Sequence, residues 1–394
     1  MSERTRITGR GVLLAALLVG ATTAVSGSDR ENAPEVDGAV SSLRFDQLQY
    51  IGTHNSYHLA PWPEVAGEAL RVGYAESADW PATRLFAALD YTHPDLSMQL
   101  AMGLRQFELD VHYDPIGGKF RDGGHIEALR RLAPQRMAQL DPDDRLRQPG
   151  FKVFHGGLDM RSHCLLLRDC LTTLRRWSEA HPRHFPIILH FEVKDGTKPA
   201  LDESYTPTTE EPFEVEQWTA LEQEIIEVLG AERIVTPTEV IGEHRNLSSA
   251  IRRDGWPTLD RMAGRFVLLL LNKKEETNSY LDASGQLTHR LFFTSGALGA
   301  RDAGWFRIPD PEYPRLRQQI RRGFLATVQA DTHTYQARTG RTERRESALS
   351  SGAQFILTDY PTADSRFTPY QVRFDNGRYV RCNPVRMKGA CPIR

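Results

Sequence analysis

Short apolar runs that alternate with amphipathic stretches restrict the fold of this chain more than any other feature. Residues 266–271 are apolar without interruption, as expected of a strand buried on both faces. Residues 170–180 and 218–229 have the apolar spacing of amphipathic helices. Strands that alternate with helices predict a parallel sheet covered by helices. We predict eight strands, at residues 49–53, 106–111, 152–154, 187–192, 233–235, 266–271, 325–330 and 355–358.

Eight strands in 394 residues fit an α/β fold of the (β/α)8 TIM-like barrel type, which needs about 250 residues and tolerates insertions. Long insertions at residues 57–97 and 194–212 are expected to form its rim. The first insertion contains Trp62 and Trp80, candidates for contact with a membrane surface. We assign residues 45–369 to the barrel and residues 370–394 to a C-terminal extension stapled by a disulfide.

The N-terminal residues differ from the rest of the chain. Arginines precede the apolar run 11–24, and the small residues of Ala24-Val25-Ser26 follow it. This order predicts a secretory signal peptide at residues 1–26, followed by a flexible lead-in at residues 27–44. A membrane anchor is the alternative, but the run is shorter than the ~20 apolar residues of a typical span. We therefore expect a secreted protein, either extracellular or periplasmic.

The four cysteines lie in two close pairs along the chain. In an exported protein we predict the local disulfides Cys164–Cys170 and Cys382–Cys391, although four cysteines permit three connectivities and buried free thiols are an alternative. Residues six apart on a straight helix lie roughly 9 Å apart along its axis, beyond the reach of a disulfide. Cys164 must therefore precede the helix that carries Cys170.

The composition is that of an ordinary globular protein. The chain is 40% hydrophobic and 25% charged, which argues against both disorder and a membrane-spanning fold. Its net charge is −2, and the sequence contains no strong basic stripe. Nucleic acid is therefore not an expected partner, and we expect a monomer.

Four motifs place polar side chains at the ends of the first four predicted strands. They supply two histidines and four oxygen donors: His54, His155, Asn55, Glu108, Asp110 and Glu192. Glu108 and Asp110 share one strand face, where two carboxylates repel unless a cation lies between them. Oxygen donors suit Ca²⁺ or Mg²⁺ better than zinc. Two histidines beside such a cation can cleave a phosphodiester, because one accepts a proton from the attacking oxygen and the other protonates the leaving oxygen.

The ordered motifs resemble the Ca²⁺-dependent phosphoinositide-specific phospholipase C family. That family has His-Asn on strand one, Glu-x-Asp on strand two, His-Gly on strand three and Glu on strand four. Ala330-Asp331-Thr332 and Thr358-Asp359-Tyr360-Pro361 resemble its secreted microbial branch, and the resemblance covers roughly residues 48–361. It implies that Ca²⁺ is the cofactor and that His54 and His155 are the catalytic pair. The implied calcium ligands are Asn55, Glu108, Asp110 and Glu192.

Three further side chains are candidates for substrate binding: Lys194, Asp331 and Tyr360. Lys194 lies on the strand face of Glu192 and is suited either to bind phosphate or inositol hydroxyls or to form a plain salt bridge. Asp331 and Tyr360 follow the seventh and eighth predicted strands, and Tyr360 is placed to stack on an inositol ring. We assign His112 a structural role.

The resemblance implies a phospholipase C that cleaves phosphatidylinositol, or a related phosphodiester, to diacylglycerol and a cyclic inositol phosphate. It also implies transient contact with a membrane surface. A glycerophosphodiester phosphodiesterase is the alternative, because that family shares a barrel with Glu-x-Asp and two histidines. That family typically has His-Arg-Gly on strand one, whereas this chain has His54-Asn55. An inactive barrel that only binds its ligand would be expected to lose site residues, and all six are present.

Overall fold

The computed structural model describes residues 35–65, 87–196, 208–282, 285–297 and 299–393. These residues belong to one structural unit, Ala33–Arg394. The predicted signal peptide, part of the predicted lead-in and Trp80 lie outside the described residues.

Short strands arranged in two sheets form the centre of the described structure. The strands are β1 (Leu48–Thr53), β2 (Gln106–His112), β3 (Lys152–Val153), β4 (Ile187–Val193), β5 (Ile234–Val235), β6 (Phe266–Leu270), β7 (Phe292–Thr294), β8 (Trp305–Arg307), β9 (Leu325–Gln329), β10 (Phe355–Thr358) and β11 (Val380–Cys382). All eight predicted strands are present, with their ends shifted by one residue at most. The strands β7, β8 and β11 were not predicted, since three residues are too few to show a periodic pattern.

The helices lie between the strands. They are α1 (Leu96–Ala101), α2 (Gly124–Leu132), α3 (Met137–Leu140), α4 (Leu167–Ala180), α5 (Val215–Leu229), α6 (Pro237–Ile241), α7 (Leu247–Arg253), α8 (Leu259–Met262), α9 (Leu316–Arg321), α10 (Tyr335–Thr339) and α11 (Glu343–Ser351). The long helix α4 buries Leu167, Leu171 and Leu174 along one stripe, as its amphipathic sequence requires. The predicted alternation of strands and helices is therefore confirmed.

The two sheets have different strand orders. One has the order β11-β1-β10-β9-β8, and the other has the order β3-β2-β4-β6-β5, with β7 also paired to β6. Most neighbouring strands are parallel, which confirms a mixed α/β fold. However, β3 pairs antiparallel to β2, with Val153 opposite Val111. The prediction that residues 152–154 form a parallel strand is therefore wrong, because two paired residues carry no signal of strand direction.

The C-terminal residues take part in the first sheet. Strand β11 pairs antiparallel with β1, with Cys382 opposite Leu48. The Asn383 N–H group then donates to the Gln47 carbonyl, which continues the contact with the start of β1. The segment after Tyr370 therefore supplies an edge strand to the sheet that carries His54 at the end of β1.

The main apolar core lies around the strands. The side chains of β6 are fully buried, as the uninterrupted apolar run predicts. A second, smaller cluster contains Phe120, Phe154 and Trp62. Trp62 is buried and packs under the Arg161 guanidinium, 5.2 Å from its ring centroid. The suggestion that Trp62 contacts a membrane is therefore wrong, because this side chain is covered by the protein.

Both predicted disulfides are present. Cys164 and Cys170 have Cα atoms 5.5 Å apart, and Cys164 precedes α4, as the length of a disulfide requires. Cys382 and Cys391 form the second bond, with Cα atoms 5.7 Å apart. Among the helices of the described residues, none combines the length and the apolar character needed to cross a membrane.

Candidate active site

Three carboxylates meet because β2 and β4 are neighbours in the sheet. Asp110 on β2 lies opposite Glu192 on β4, and Glu108 precedes Asp110 by two residues on the same face. Each of the three acids offers an oxygen atom, and these atoms all lie within 4.8 Å of one another. The sequence prediction that these acids converge is therefore matched by the geometry.

Asn55 lies in the turn after β1 and has a positive φ of 47°, a backbone conformation that Asn tolerates better than most residues. Its amide Nδ2 donates to the hydroxyl of Tyr91 at 3.0 Å. Its Oδ1 is buried without a hydrogen-bond partner, as are Glu108 Oε2 and Asp110 Oδ1. Buried oxygens without donors are costly unless a cation satisfies them. These oxygens therefore fit a hard cation such as Ca²⁺.

Lys194 supplies a positive charge within the acidic cluster. Its Nζ lies 2.6 Å from Asp110 Oδ2 and 3.1 Å from Glu192 Oε2. Burial opposes ionisation of Glu192, but Lys194 and Arg307 lower the pKa of this carboxyl to about 2. The two acids raise the pKa of Lys194 above its ordinary value in spite of burial. Lys194 therefore forms the predicted salt bridge with Glu192 and a second one with Asp110.

His54 lies beside the cluster at the end of β1 and keeps 30% of its side chain exposed. Its Nδ1 lies 2.8 Å from Asp359 Oδ1, and its Nε2 lies 4.0 Å from Glu108 Oε1. Burial disfavours the charged imidazole, but Glu108, Asp359 and Asp110 together raise the pKa of His54 to about 10. The histidine is therefore surrounded by more negative than positive charge.

Asp331 accepts a hydrogen bond from the backbone of Asp359, the partner of His54. The backbone N–H of Asp359 donates to Asp331 Oδ1 at 2.9 Å, and the hydroxyls of Thr358 and Tyr370 both donate to Oδ2. Burial and the charge of Asp359 raise the pKa of Asp331. Both Asp331 oxygens are thus engaged within the protein. The geometry favours a role in positioning Asp359 over direct contact with substrate.

His155 follows β3, and 37% of its side chain is exposed. Its Nδ1 lies 3.1 Å from Oδ2 of the buried Asp159, which also lies 2.9 Å from Nε2 of the buried His58. The His155 charge contributes to lowering the pKa of Glu192, so this histidine lies within electrostatic range of the acidic cluster. The structure thus places His54 beside the cluster and His155 within electrostatic range of Glu192.

Asp159, His58 and Tyr91 were not identified from the sequence. Asp159 had a local signal, because it follows His155 by four residues and two glycines. His58 and Tyr91 had none, because their places in the site depend on contacts between loops. The aromatic ring of Tyr91 stacks on the imidazole of His58, with ring centroids 4.3 Å apart.

Two other predicted residues occupy enclosed positions. Tyr360 is only 2% exposed, and its ring packs against the edges of Phe367 and Tyr370. This burial leaves no open ring face, so the suggestion that Tyr360 stacks on inositol is not supported. His112 bonds the Glu210 carboxylate at 2.8 Å and donates to the Phe154 carbonyl at 3.0 Å, consistent with its predicted structural role.

Comparison with known proteins agrees with this geometry. A family model described as phosphoinositide phospholipase C, Ca²⁺-dependent, matches residues 43–384. The chain belongs to this family. It is therefore a phosphoric diester hydrolase of the phosphoinositide phospholipase C type, with Ca²⁺ as its cofactor. No curated protein matches the sequence.

Solved structures of phospholipases C share the fold of this family member. The calcium-dependent phosphoinositol-specific phospholipase C of a Gram-negative Pseudomonas species, in its apo form with myo-inositol, has a TM-score of 0.51 and 16% identity, over 88% of this chain and 98% of that one. A second crystal form of the apo enzyme has a TM-score of 0.50 and 14% identity over the same shares. The calcium-dependent enzyme of Streptomyces antibioticus has a TM-score of 0.47 and 17% identity, over 80% and 94%.

Proposed function

We propose that this family member cleaves phosphatidylinositol, or a closely related phosphodiester, to diacylglycerol and a cyclic inositol phosphate. The observation that carries the proposal is the pair of partly exposed histidines beside a cluster of carboxylates and unpartnered buried oxygens. The Pseudomonas neighbour was solved with myo-inositol, which supports an inositol headgroup. The family match also favours this activity over a glycerophosphodiester phosphodiesterase.

The proposed chemistry uses one histidine for each proton transfer. His54 accepts the proton of the inositol 2-hydroxyl while that oxygen attacks phosphorus. His155 donates a proton to the glycerol oxygen while its bond to phosphorus breaks. Calcium would be held by Asn55, Glu108, Asp110 and Glu192. When bound, it supplies positive charge that offsets the charge on the phosphoryl oxygens.

Lys194 is proposed to bind the substrate phosphate in the calcium-loaded enzyme. Its Nζ bonds Asp110 and Glu192, two of the four proposed calcium ligands. An ammonium group and a divalent cation that share the same carboxylates compete for them. With these carboxylates bound to calcium, Lys194 would be available to bind the substrate phosphate.

The closed barrel predicted from the sequence remains part of this proposal. Its support lies where the two sheets adjoin. The N–H of Ser56 after β1 donates to the carbonyl of Glu108 in β2 at 2.9 Å. Between β7 and β8, the N–H of Gly296 donates to the carbonyl of Trp305 at 3.3 Å. Closure at both places would bring the ends of β1, β2, β4 and β10 to one opening.

Contact with a membrane surface is proposed to involve exposed apolar side chains in the connections that follow three strands. Ile116 is 87% exposed in the connection after β2, Val215 is 60% exposed after β4, and Tyr335 is 47% exposed after β9. Replacing all three with serine should lower the fraction of protein that sediments with phosphatidylinositol vesicles. Turnover of a water-soluble substrate should not change. An unchanged sedimented fraction would exclude this surface as the point of contact.

Export from the cell is the other part of the proposal. It is supported by the basic, apolar and small-residue order of residues 1–26 and by two disulfides, which persist mainly in oxidising compartments. Intact-mass analysis of the exported protein is expected to show an N-terminus near Gly27. A mass that retains residues 1–26 would contradict cleavage.

A product assay tests the central proposal. Purified protein is mixed with phosphatidylinositol vesicles in the presence of either calcium or a chelator. Phosphorus NMR and lipid analysis should show a cyclic inositol phosphate and diacylglycerol with calcium, and neither product with chelator. Glycerophosphoinositol serves as the competing substrate. Release of glycerol phosphate from it, without cleavage of the lipid, would overturn the proposal in favour of a glycerophosphodiester phosphodiesterase.

A further inference from the structure

We infer that Asp159 and His58 are positioning residues for His155, and that together they fix which nitrogen of His155 exchanges a proton with the substrate. The inference rests on the proposed function, because it concerns how His155 donates its proton. It is carried by three buried contacts that converge on Asp159.

A tight turn that begins at His155 brings Asp159 back next to that histidine. The N–H of Gly156 donates to the Asp159 carbonyl at 3.2 Å, and the N–H of Asp159 donates to the Gly156 carbonyl at 3.0 Å. Gly156 and Gly157 have φ values of 128° and 59°, which L side chains rarely adopt. The two glycines after His155 are therefore needed for this return, which brings Asp159 Oδ2 to within 3.1 Å of His155 Nδ1.

The contacts of His58 hold its ring against Asp159. Its Nδ1 lies 3.1 Å from the Tyr91 carbonyl oxygen, which can only accept a hydrogen bond. Its Nε2 lies 2.9 Å and 3.1 Å from the two oxygens of Asp159, which also accept when the carboxyl is ionised. Burial would raise the pKa of Asp159, but His58 and His155 lower it to about 2. Both ring nitrogens of His58 therefore face hydrogen-bond acceptors, which fixes this ring between Tyr91 and Asp159.

The surroundings of His58 keep this pair in place. His58 forms an antiparallel bridge with Ser162, and the N–H of His163 donates to the Tyr57 carbonyl at 2.9 Å. The other titratable groups around His58 add no charge to the pair. Burial lowers the pKa of His93 to about 3 and raises that of Tyr91 well above its ordinary value, so both are neutral near pH 7.

The consequence for His155 follows from the direction of its hydrogen bond. An ionised Asp159 accepts from Nδ1–H, so a neutral His155 carries its proton on Nδ1 and its lone pair on Nε2. The proton that His155 gains and loses is then the one on Nε2, the nitrogen on the side of the ring away from Asp159. The Asp159–His58 pair therefore contributes the orientation of the His155 ring.

Nitrogen-15 NMR of the histidine rings tests the inference without any substrate. At a pH where the His155 ring is neutral, its spectrum should show the Nδ1–H tautomer, and the His58 nitrogen that faces Asp159, Nε2, should carry a proton. His155 in the Nε2–H tautomer, or an unprotonated Nε2 on His58, would overturn the inference. This measurement needs no variant, so it stands even if Asp159→Asn fails to fold.

Kinetics of Asp159→Asn and His58→Gln provide the second test. Each should lower kcat by about 10-fold or more, up to the 10²–10⁴-fold that a complete proton transfer contributes, and should change KM by less than about threefold. Calorimetric affinity for calcium should be unchanged. Asp254→Asn is the matched control, because it breaks the exposed His244–Asp254 pair, whose atoms are 2.7 Å apart. It should leave kcat unchanged.

The outcomes separate this inference from the proposed function. If wild-type protein cleaves phosphatidylinositol and Asp159→Asn has the same kcat, the inference fails and the function stands. If wild-type protein cleaves no lipid but the NMR spectra show the expected His58 and His155 states, the function fails and the positioning of His155 stands.

Discussion

Two aspartate–histidine pairs lie beside the same acidic cluster, and the protein builds them differently. Asp359 reaches His54 from a position 305 residues away, at the end of β10. Asp159 reaches His155 from within one tight turn. Behind Asp359 lies a second carboxyl group, that of Asp331, whereas a buried histidine lies next to Asp159. The partners of the two catalytic candidates are therefore backed by different groups, a carboxyl behind Asp359 and an imidazole behind Asp159.

This difference gives the two pairs different effects. The surroundings of His54 control its charge, whereas those of His155 control the orientation of its ring. Around His54 the carboxylates raise the pKa of the imidazole to about 10, so its protonation depends on which cation shares those carboxylates. Beside His155, burial would raise the pKa of Asp159, but its contacts with His58 and His155 lower it to about 2, and these contacts fix the position of the carboxylate. We expect the first pair, His54–Asp359, to respond to calcium. We expect the second pair, His155–Asp159, to remain the same with and without it.

The largest expected effect comes from removing either histidine. His54→Ala and His155→Ala should each lower turnover at least about 100-fold, because each proton transfer is worth about 10²–10⁴-fold. A nitrophenyl phosphodiester of inositol has a good leaving group and needs little help from a general acid. It should therefore rescue His155→Ala far more than His54→Ala in steady-state assays. Equal rescue of the two variants would remove the proposed division of roles.

The double variant sharpens this prediction. When residues act as a unit, the losses of activity caused by mutating them are not additive. The double variant, His54→Ala with His155→Ala, should therefore lose much less activity than the product of the two single losses. Calcium binding should survive in all three variants, because neither histidine is a proposed ligand. A loss of calcium binding in His155→Ala would show that the second pair is not independent of the ion.

Removing the internal cation should strengthen calcium binding. Lys194→Met leaves Asp110 and Glu192 without the ammonium that now bonds them. The affinity for calcium should rise roughly 10-fold, within the 5–150-fold typical of coupled sites, as measured by calorimetric titration. Lys119→Met is the control, because Lys119 pairs with Glu211 on the protein surface. Equal affinity in Lys194→Met and wild-type protein would mean that lysine and calcium do not compete.

Calcium binding should also release a proton from the first pair. The raised pKa of His54 stabilises the calcium-free protein fully below pH 6.5, and this contribution is lost as the pH rises towards 10. At about pH 8 the imidazole is therefore charged, and a divalent cation on Glu108 and Asp110 would remove the part of the shift that these two acids cause, while Asp359 remains. Up to about one proton per ion should leave, as measured by calorimetry in two buffers of different ionisation enthalpy.

Two variants distinguish the pairs in this experiment. His54→Gln should remove most of the proton release, whereas His155→Gln should leave it unchanged. The same release in both variants would place its origin elsewhere in the acidic cluster, since burial raises the pKa of Glu108 as well.

The sequence predicts the acidic cluster beside the His54–Asp359 pair better than it predicts the His155–Asp159 pair, for a physical reason. Glu108, Asp110 and Glu192 lie on strands, where alternation fixes the face of each side chain and apolar neighbours indicate burial. His58 reaches Asp159 across 101 residues, through the pairing of two irregular segments that leave no periodic signal. Tyr360 shows the same limit. Its burial depends on Phe367 and Tyr370, which belong to the segment after the last predicted strand.

The smallest expected effect compares the two disulfides, one beside the second pair and one at the edge of the first sheet. They join cysteines six and nine residues apart, and loops of this size contribute roughly 2–3 kcal/mol each in the chain-entropy model. Replacing either bond with two alanines should therefore lower the free energy of unfolding by similar amounts, as measured by chemical denaturation.

Their effects on turnover should differ. Cys164 directly follows Arg161, Ser162 and His163, the residues that pair with the chain around His58. Without the Cys164–Cys170 bond, this segment is held less firmly behind Asp159, and kcat should fall roughly two- to fivefold, a free-energy change below about 1 kcal/mol. The Cys382–Cys391 bond staples β11 to its own tail, so its removal should leave kcat unchanged. Equal losses of kcat would mean that the bond near Asp159 stabilises the fold without helping to position His155.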